Sequence, residues 1–346
     1  MYKWYALKRI LRGVVMYALL ILLFSVLFNS VNETTQRTQI NEQVKMESMR
    51  LSNMRPEQLL AWRADREAQL ISLYKLDRPF GERIIFRTVN VLTFNFGKST
   101  HIKSAKGDQD VLAIILEALP KTMLLFTTAT VFELVIGITL GLLKARKPGG
   151  KLDKSTSLIT MIVYGMPAWW LGMMLILLFV YIFKIFPSGG VVSTPTPLGI
   201  AGFLDRIWHM ILPVTTLVII SFWSLSFVIR NIVLGVLQED YIMSARARGI
   251  GEKSILFGHT LRTSAPPIVT MALLSLLVSF SGAIIFEGIF SWPGLGNLYW
   301  IAVQQNDIPV LMGDLAMSTG IYLAGLIFLD LIYGFLDPRI KVGGKA

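Results

Sequence analysis

Six stretches of apolar residues decide what this chain can become: Gly13 to Phe28, Thr122 to Leu143, Leu158 to Phe183, Ile207 to Ile229, Ile268 to Phe286 and Leu315 to Leu336. A helix needs ~20 apolar residues to cross a hydrocarbon core of ~30 Å, and most of the six reach or approach that length. With 53% hydrophobic and only 16% charged residues in the chain, the stretches predict an all-α integral membrane protein with six transmembrane helices. The first stretch is short and follows Lys3, Lys8, Arg9 and Arg12, as in a signal peptide. No small-x-small cleavage site follows Phe28, so it reads as a retained helix whose basic neighbours snorkel.

The net charge of +11 follows topology rather than a nucleic-acid face, because no folded soluble module is present to carry such a face. Basic residues gather at the N-terminus, at Lys144, Arg146, Lys147, Lys151 and Lys154, and in the tail at Arg339, Lys341 and Lys345. The loops Lys184 to Arg206 and Glu287 to Asp314 hold only Lys184 and Arg206. Basic loops mark the cytoplasm, so both termini are expected there, in a multi-pass protein of the cell membrane. The expected divisions are a cytoplasmic N-terminus and first helix (1–30), an extracytoplasmic cap between helices 1 and 2 (31–110), a transmembrane domain (111–336) and a cytoplasmic tail (337–346). Within the cap, residues 29 to 52 are polar with little periodicity and predict an extended or weakly helical connector. Beyond it, Leu59, Trp62, Leu70, Leu73 and Leu76 fall near one helical face, with Pro56 suited to a first turn. "FGERIIFRTVNVLTFNFG" mixes aromatics with Arg83 and Arg87, as a helix lying on a membrane surface does.

No catalytic set emerges. The chain has no cysteine, which removes thiol nucleophiles, disulfides and cysteine metal sites. His101, His209 and His259 are too scattered for a metal centre. "FGKST" at 96–100 mimics the end of a phosphate-binding loop, but Leu92 stands where that loop requires glycine.

The least membrane-like part of the second half is "EDYIMSARARGIGEKSILFGHTLRTSAPP", Glu239 to Pro267. Asp240 is suited to cap a helix through Tyr241, Ala245 and Arg248, and Gly249 to end it in the left-handed conformation. Ile250 and Gly251 turn the chain, and a second helix runs from about Glu252 to Arg262, with Pro266 and Pro267 marking its end or a bend. Ala245 and Ala247 allow close approach of another surface, and Arg246 and Arg248 offer charge-assisted hydrogen bonds. On physical grounds the hairpin is equally a knob for another protein's cleft or an interfacial helix on lipid headgroups.

That hairpin resembles the cytoplasmic signature loop of ATP-binding-cassette importer permeases, E-A-A-x-x-x-G, in the variant D-Y-V-x-T-A-R-A-K-G of the dipeptide, oligopeptide and nickel branch. Ala245 and Gly249 match its second Ala and its Gly, whereas Met243 and Ser244 replace its Glu and first Ala. "KLDRP" at 75–79, "GMPAWWLGMMLILLF", "FEGIFSWPGLG" at 286–296, "DIPVLMG" and "DLIYGFLDPRI" resemble, in order, segments of the branch's B-type subunit. The P-G-D-P segment of the family is missing from 29–52. The resemblance implies the type I importer permease architecture, with residues 239–262 as the coupling loop and Asp240, Tyr241, Ala245, Arg246, Ala247, Arg248, Gly249 and Gly251 as its docking residues. It implies as partners a homologous C-type permease subunit, two cytoplasmic ATP-binding subunits and an extracytoplasmic substrate-binding protein. It implies no cofactor on this chain, with ATP and Mg handled by the ATPase subunits. The cargo it implies is di- or oligopeptides, with short oligosaccharides as the alternative and nickel the least attractive.

Glu133 falls mid-membrane, either lining the pathway or pairing with a neighbouring helix, and Asp330 reads as structural. Glu287, Trp292, Pro293 and Gly294 are pathway or gate candidates by resemblance; the plainer alternative is an external turn anchored by Trp292. Two other functions compete. An intramembrane protease needs a G-x-S-G-like serine, but Ser279 stands in place of that glycine and His209 is the sole partner candidate. An ion-driven carrier commonly shows internal repeats, and none is visible.

Overall fold

A computed structural model of the chain describes residues 2–51, 54–280 and 282–336. Among these, thirteen α-helices, two π-helical stretches and one isolated bridge, Lys98 to Asp110, account for the regular structure. The expected tail, 337–346, lies outside the described residues. Five helices are long and apolar enough to cross a membrane, and a sixth span is completed by a bent pair. The chain divides into two compact units, Met1–Glu117 with Ile301–Ala346, and Ala118–Trp300.

In the first unit, α1 (Tyr2–Met49) is a single helix of 48 residues, whose apolar part spans Trp4–Asn29. The polar continuation, expected as a connector, is helical and carries the chain straight through the boundary placed at residue 30. Two causes are visible. Glu33 and Arg37 pair one turn apart at 3.1 Å, and Gln43 donates to Glu47 at 2.8 Å, the spacing that supports a helix. Ile40 and Val44, also one turn apart, bury against Leu70 and Leu76 of the chain around α2 (Pro56–Leu73). A seam of so few apolar residues is too narrow to register as periodicity. Arg66 donates to Glu47 at 2.8 Å and fastens the two helices. Leu73, expected on the buried face, is 72% exposed, because α2 ends there and the chain reverses at Tyr74 to bring in Leu76 instead.

Helix α3 (Phe80–Leu92) buries Ile84, Thr88 and Val91 and exposes Phe80, Ile85, Phe86 and Val89. α13 (Ile308–Leu336) packs antiparallel to α1. Gly13 leaves room for Ile327, Tyr17 donates its hydroxyl to the Ala316 carbonyl at 3.2 Å, and Arg9 pairs with Asp330. Asp330 thus has the structural role expected of it. The "FGKST" turn has its own ligand: Asp307, ahead of α13, accepts from Ser99 Oγ at 2.6 Å and from the amides of Thr100 and His101 at 2.9 and 3.0 Å.

Helix α4 (Val111–Arg146) has 36 residues, about 54 Å of rise, and carries the chain into the second unit. There the third span is not one helix. α5 (Lys151–Tyr164) and α6 (Ala168–Ile176), with a π-helical continuation Leu177–Ile182, meet at 96°. Gly165 ends the first, and Pro167 excludes helical backbone from the residue before it. α5 buries Asp153, Thr156 and Thr160 and exposes Leu158, Met161 and Ile162. Polar inside and apolar outside is the pattern of a helix whose neighbours are protein on one side and lipid on the other. α7 (Gly199–Leu237) is its neighbour: Arg230 binds both Asp153 oxygens at 2.6 Å, and Thr160 donates to the Trp223 carbonyl. α4 closes on α7 through Gly137 and Gly141; a β-carbon at Gly141 would lie 2.8 Å from the Ser226 carbonyl.

The second unit continues through α8 (Asp240–Ala247), α9 (Glu252–Ser254), a π-helical stretch Ile255–Thr260 and α10 (Leu261–Val278). Pro266 and Pro267 lie inside α10 and neither end nor break it. Helix-breaking residues are tolerated in a membrane helix, and the carbonyls that these two leave without their helical donors are those of Arg262 and Thr263. The fifth span stops at Val278, short of the expected Phe286. α11 (Ile284–Ile289) and α12 (Leu295–Gln304) follow.

Candidate functional site

Two groups of residues singled out in the sequence form separate structures within the second unit. The first is the polar hairpin. Glu239, not Asp240, occupies the cap position of α8, with extended backbone (φ −69°, ψ 145°), and no side-chain cap bond forms. Asp240 is the first helical residue instead, where a carboxylate still favours the positive end of the helix dipole. Gly249 has φ +78°. Its amide donates to the Arg246 carbonyl at 2.9 Å, and that of Ile250 to the Ala245 carbonyl at 3.3 Å, which together make a Schellman closure. Gly251 caps α9 with extended backbone.

The hairpin has its own small core of Ile242, Ala245 and Ile255, backed by Leu237 and Ile250. Ala245, expected on the outward face, is 2% exposed; its small side chain serves the approach of the two arms to each other. The outward face is Tyr241, Met243, Ala247 and Arg248, with Arg246 and Gly249 beside them. Arg246 is held by Glu252 at 2.8 Å, and Tyr241 by Thr263 at 2.9 Å. The Arg248 guanidinium makes no hydrogen bond or ion pair with any described residue. Both arginines therefore stand on a stiff support, one oriented and one free. A depression of about 210 Å³ lies at the hairpin's base, lined by Arg146, Leu234, Arg246 and Glu252 among others.

The second group is the segment "GAIIFEGIFSWPGLG". Glu287 is wholly buried. One carboxylate oxygen accepts from Thr122 Oγ1 at 2.9 Å, and the other from the Asn297 amide at 3.0 Å. The same Thr122 hydroxyl oxygen accepts from the Leu295 amide at 2.7 Å. Trp292, wholly buried too, donates its indole N–H to the Lys121 carbonyl at 2.9 Å and packs with Leu125, Leu212, Phe286 and Phe290. Gly294 admits no β-carbon, since one would lie 2.6 Å from Glu287 Oε2.

Glu287, Trp292 and Gly294 consequently line no open path in this conformation, and Trp292 is not an interfacial anchor. They form a clasp that ties the irregular segment to α4, and only Pro293 of the four is exposed. Thr122, the atom at the centre of that clasp, carried no signal in the sequence, where it is one apolar-tolerated residue at a span's edge. Glu133 lies half-buried on α4 and belongs to neither group, and its carboxylate has no hydrogen bond or ion pair with any described residue. The helix pairing offered for it is therefore not made within the described chain. Two further buried charges went unread. Asp153 pairs with Arg230, and Lys144, wholly buried, lies 5.5 Å from the Phe227 ring centroid with no hydrogen-bond partner on Nζ among the described residues.

Comparison with known proteins matches residues 137–342 to the family described as "Binding-protein-dependent transport system inner membrane component". The oligopeptide transport system permease protein AppB of Bacillus subtilis (strain 168) is 34% identical over 278 residues, 80% of this chain and 85% of that protein. The dipeptide transport system permease protein DppB of Escherichia coli (strain K12) is 34% identical over 296 residues, 80% of this chain and 86% of its own. A putative peptide permease protein of Brucella suis biovar 1 (strain 1330) is 30% identical and matches 98% of this chain and 99% of its own.

Proposed function

Because the chain belongs to the family of inner membrane components of binding-protein-dependent transport systems, we propose that it is the permease subunit of an ATP-binding-cassette importer of di- and oligopeptides, coupled to its ATPase through the α8–α9 hairpin. The observation that carries the coupling assignment is the hairpin's construction. Its isoleucines and Ala245 are taken up by its own core, its turn is closed by backbone bonds, and an outward face that carries Arg248 among Tyr241, Met243 and Ala247 is left without a partner in the chain. A lipid-lying helix would instead turn a continuous apolar face outward, whereas here Met243 stands among Ser244, Arg246 and Arg248. Peptides are favoured over oligosaccharides because the relatives named above are dipeptide and oligopeptide permeases. In this reading the termini and hairpin are cytoplasmic and residues 31–110 lie outside. A homologous C-type permease completes the pathway, to which Glu133 presents its unpaired carboxylate. Two ATPase subunits hold ATP and Mg, and a substrate-binding protein delivers cargo. ATPase closure draws the hairpins together and switches access, a rigid-body transition.

The chain has no cysteine, so Ala247→Cys introduces a single thiol on the exposed face. Cross-linking in native membranes with a short bifunctional reagent is expected to attach an ATPase subunit, identified by mass spectrometry. Leu73→Cys, in the cap, is expected to give no such product. Capture of lipid alone by a folded Ala247→Cys protein refutes the coupling role.

A further inference from the structure

The first unit contains a cavity of about 600 Å³ that the transport reading does not use, between the polar end of α1, α3, the turn at 95–100 and the start of α13. Its described lining includes four basic side chains, Lys75, Arg83, Arg87 and Lys98, and no acidic one. Amide side chains, Gln39 and Asn90 among them, supply much of the remaining polar surface. The hydrogen-bonding capacity of this wall is not used up. Arg83 pairs with Glu33 at 2.9 Å, yet its Nε, Nη1 of Arg87 and Nε2 of Gln39 are buried nitrogens with no hydrogen-bond partner among the described residues. Arg83 and Arg87 stand one turn apart on α3, a like-charge pair at the spacing where repulsion is felt. Burial first, and then the Arg83 charge, push the Arg87 guanidinium below its ordinary value. Such a wall lacks a counter-ion rich in acceptors.

The height of the cavity identifies the counter-ion. The α1 span ends at Asn29 and the antiparallel α13 span begins at Ile308. Glu33, which orients Arg83, lies about 6 Å of helix rise beyond Asn29, and Ile308 itself lines the cavity. Four bases therefore ring the level at which hydrocarbon gives way to headgroups. The exposed strip of α3, Ile85, Phe86 and Val89, offers apolar surface to acyl chains on the same helix, as an interfacial helix does, and Phe86 both belongs to it and lines the cavity.

We propose that this cavity binds the phosphate of an anionic phospholipid headgroup, Arg83 and Arg87 donating to its oxygens and Lys98 supplying further charge. A zwitterionic headgroup offers the same phosphate but brings its own cation into a wall of four, so the site selects net negative charge. Bound lipid would neutralise the Arg83–Arg87 repulsion and pin α3 to the membrane surface.

The test uses the full-length chain in neutral detergent, with binding of short-chain phosphatidylglycerol, matched phosphatidylcholine and inorganic phosphate read by native mass spectrometry. Wild type is expected to retain phosphatidylglycerol over phosphatidylcholine. The double substitution Arg87→Gln/Lys98→Gln is expected to lower that retention about tenfold or more, the scale of one charge-assisted hydrogen bond. Arg87→Lys is expected to keep part of it, and Arg55→Gln, which removes an exposed charge outside the cavity, to leave it unchanged. Lys98→Gln alone sits on a turn and keeps the test available if the double variant does not fold. Equal retention of the two lipids, or a folded double variant that holds phosphatidylglycerol as wild type does, overturns the proposal. Inorganic phosphate bound in an Arg87-dependent manner that phosphatidylglycerol cannot displace makes the ligand a free oxyanion and overturns the lipid assignment.

Discussion

Thr122→Val isolates the clasp that holds the irregular segment after α10. Thr122 is wholly buried, and its one hydroxyl serves two partners, donating to Glu287 at 2.9 Å and accepting from the Leu295 amide at 2.7 Å. Valine has nearly the same shape but can do neither. Leaving the Leu295 N–H unsatisfied costs ~1–3 kcal/mol, and losing the bond to Glu287 adds roughly 0.5–3 kcal/mol according to the charge on the carboxyl. The sum, about 1.5–6 kcal/mol, exceeds the benefit of one more buried methyl, about 0.8 kcal/mol. Thr122→Ser keeps the hydroxyl and loses only that methyl. The expected order of thermal stability, measured on full-length protein in detergent by fluorescence-detected size exclusion after heating, is wild type, then Thr122→Ser, then Thr122→Val well below. Hydrophobic burial alone predicts the reverse, with valine equal to or above wild type and serine lowest. That reversed order would refute the account of the clasp.

Arg230→Ala leaves the buried Asp153 carboxylate with the Gly149 amide as its remaining hydrogen-bond donor, a loss of up to about 3–5 kcal/mol, and Asp153→Ala on the same background is expected to recover part of it in the same melt. Gly141→Leu forces α4 from the Ser226 carbonyl and Ile229; a lower melting temperature and reduced yield of folded protein are expected, with Gly235→Leu, where nothing crowds the site, as the contrast. Gly249→Val places a β-branched side chain at φ +78° and costs about 1–2 kcal/mol. Because the hairpin core remains, the protein is expected to assemble in the membrane yet to lose most of its peptide uptake in a radiolabelled transport assay.

The long helices were legible because lipid leaves the backbone few alternatives, so the apolar stretches reported spans almost directly. What could not be read were the interruptions and the seams. The 96° break at Gly165–Pro167 lies inside a stretch apolar enough to look continuous, and hydropathy carries no angle. The long continuation of α1 was hidden for the opposite reason: Ile40 and Val44 are two apolar residues among polar ones, and only the arrival of Leu70 and Leu76 makes them a core. Among candidate residues, Gly249 was readable because only backbone chemistry is at stake there. The direction of Ala245 was not, since alanine suits an internal contact and an external one equally well. Glu287 stood out only by resemblance, as a gate candidate, and its burial could not be read because its partner Thr122 is 165 positions away and has no local signature.

A transporter's switch requires that a push at one end arrive at the other, and the second unit contains stiff connections suited to that. Leu237, the last residue of α7, packs into the same small core as Ile242, Ala245 and Ile255, so the hairpin is not a loosely hung loop. From its second arm the backbone runs through the π-helical stretch into α10 without a break, and Leu256 joins Ile229, Val233 and Ile268 in a cluster that ties α7 to α10 just above it. The Asp153–Arg230 pair then fastens α5 to α7. Displacing the hairpin relative to α7 would expose its core and Leu256. Three large apolar side chains, Ile242, Ile255 and Leu256, at ~1.5–3 kcal/mol each make that more costly than moving the helices together. Under the proposed function, force applied at Ala247 and Arg248 is delivered to α5, α7 and α10 as one body, and the joints that can yield are the ones the structure leaves irregular: the break at Gly165–Pro167 and the backbone at Gly282 and Ala283.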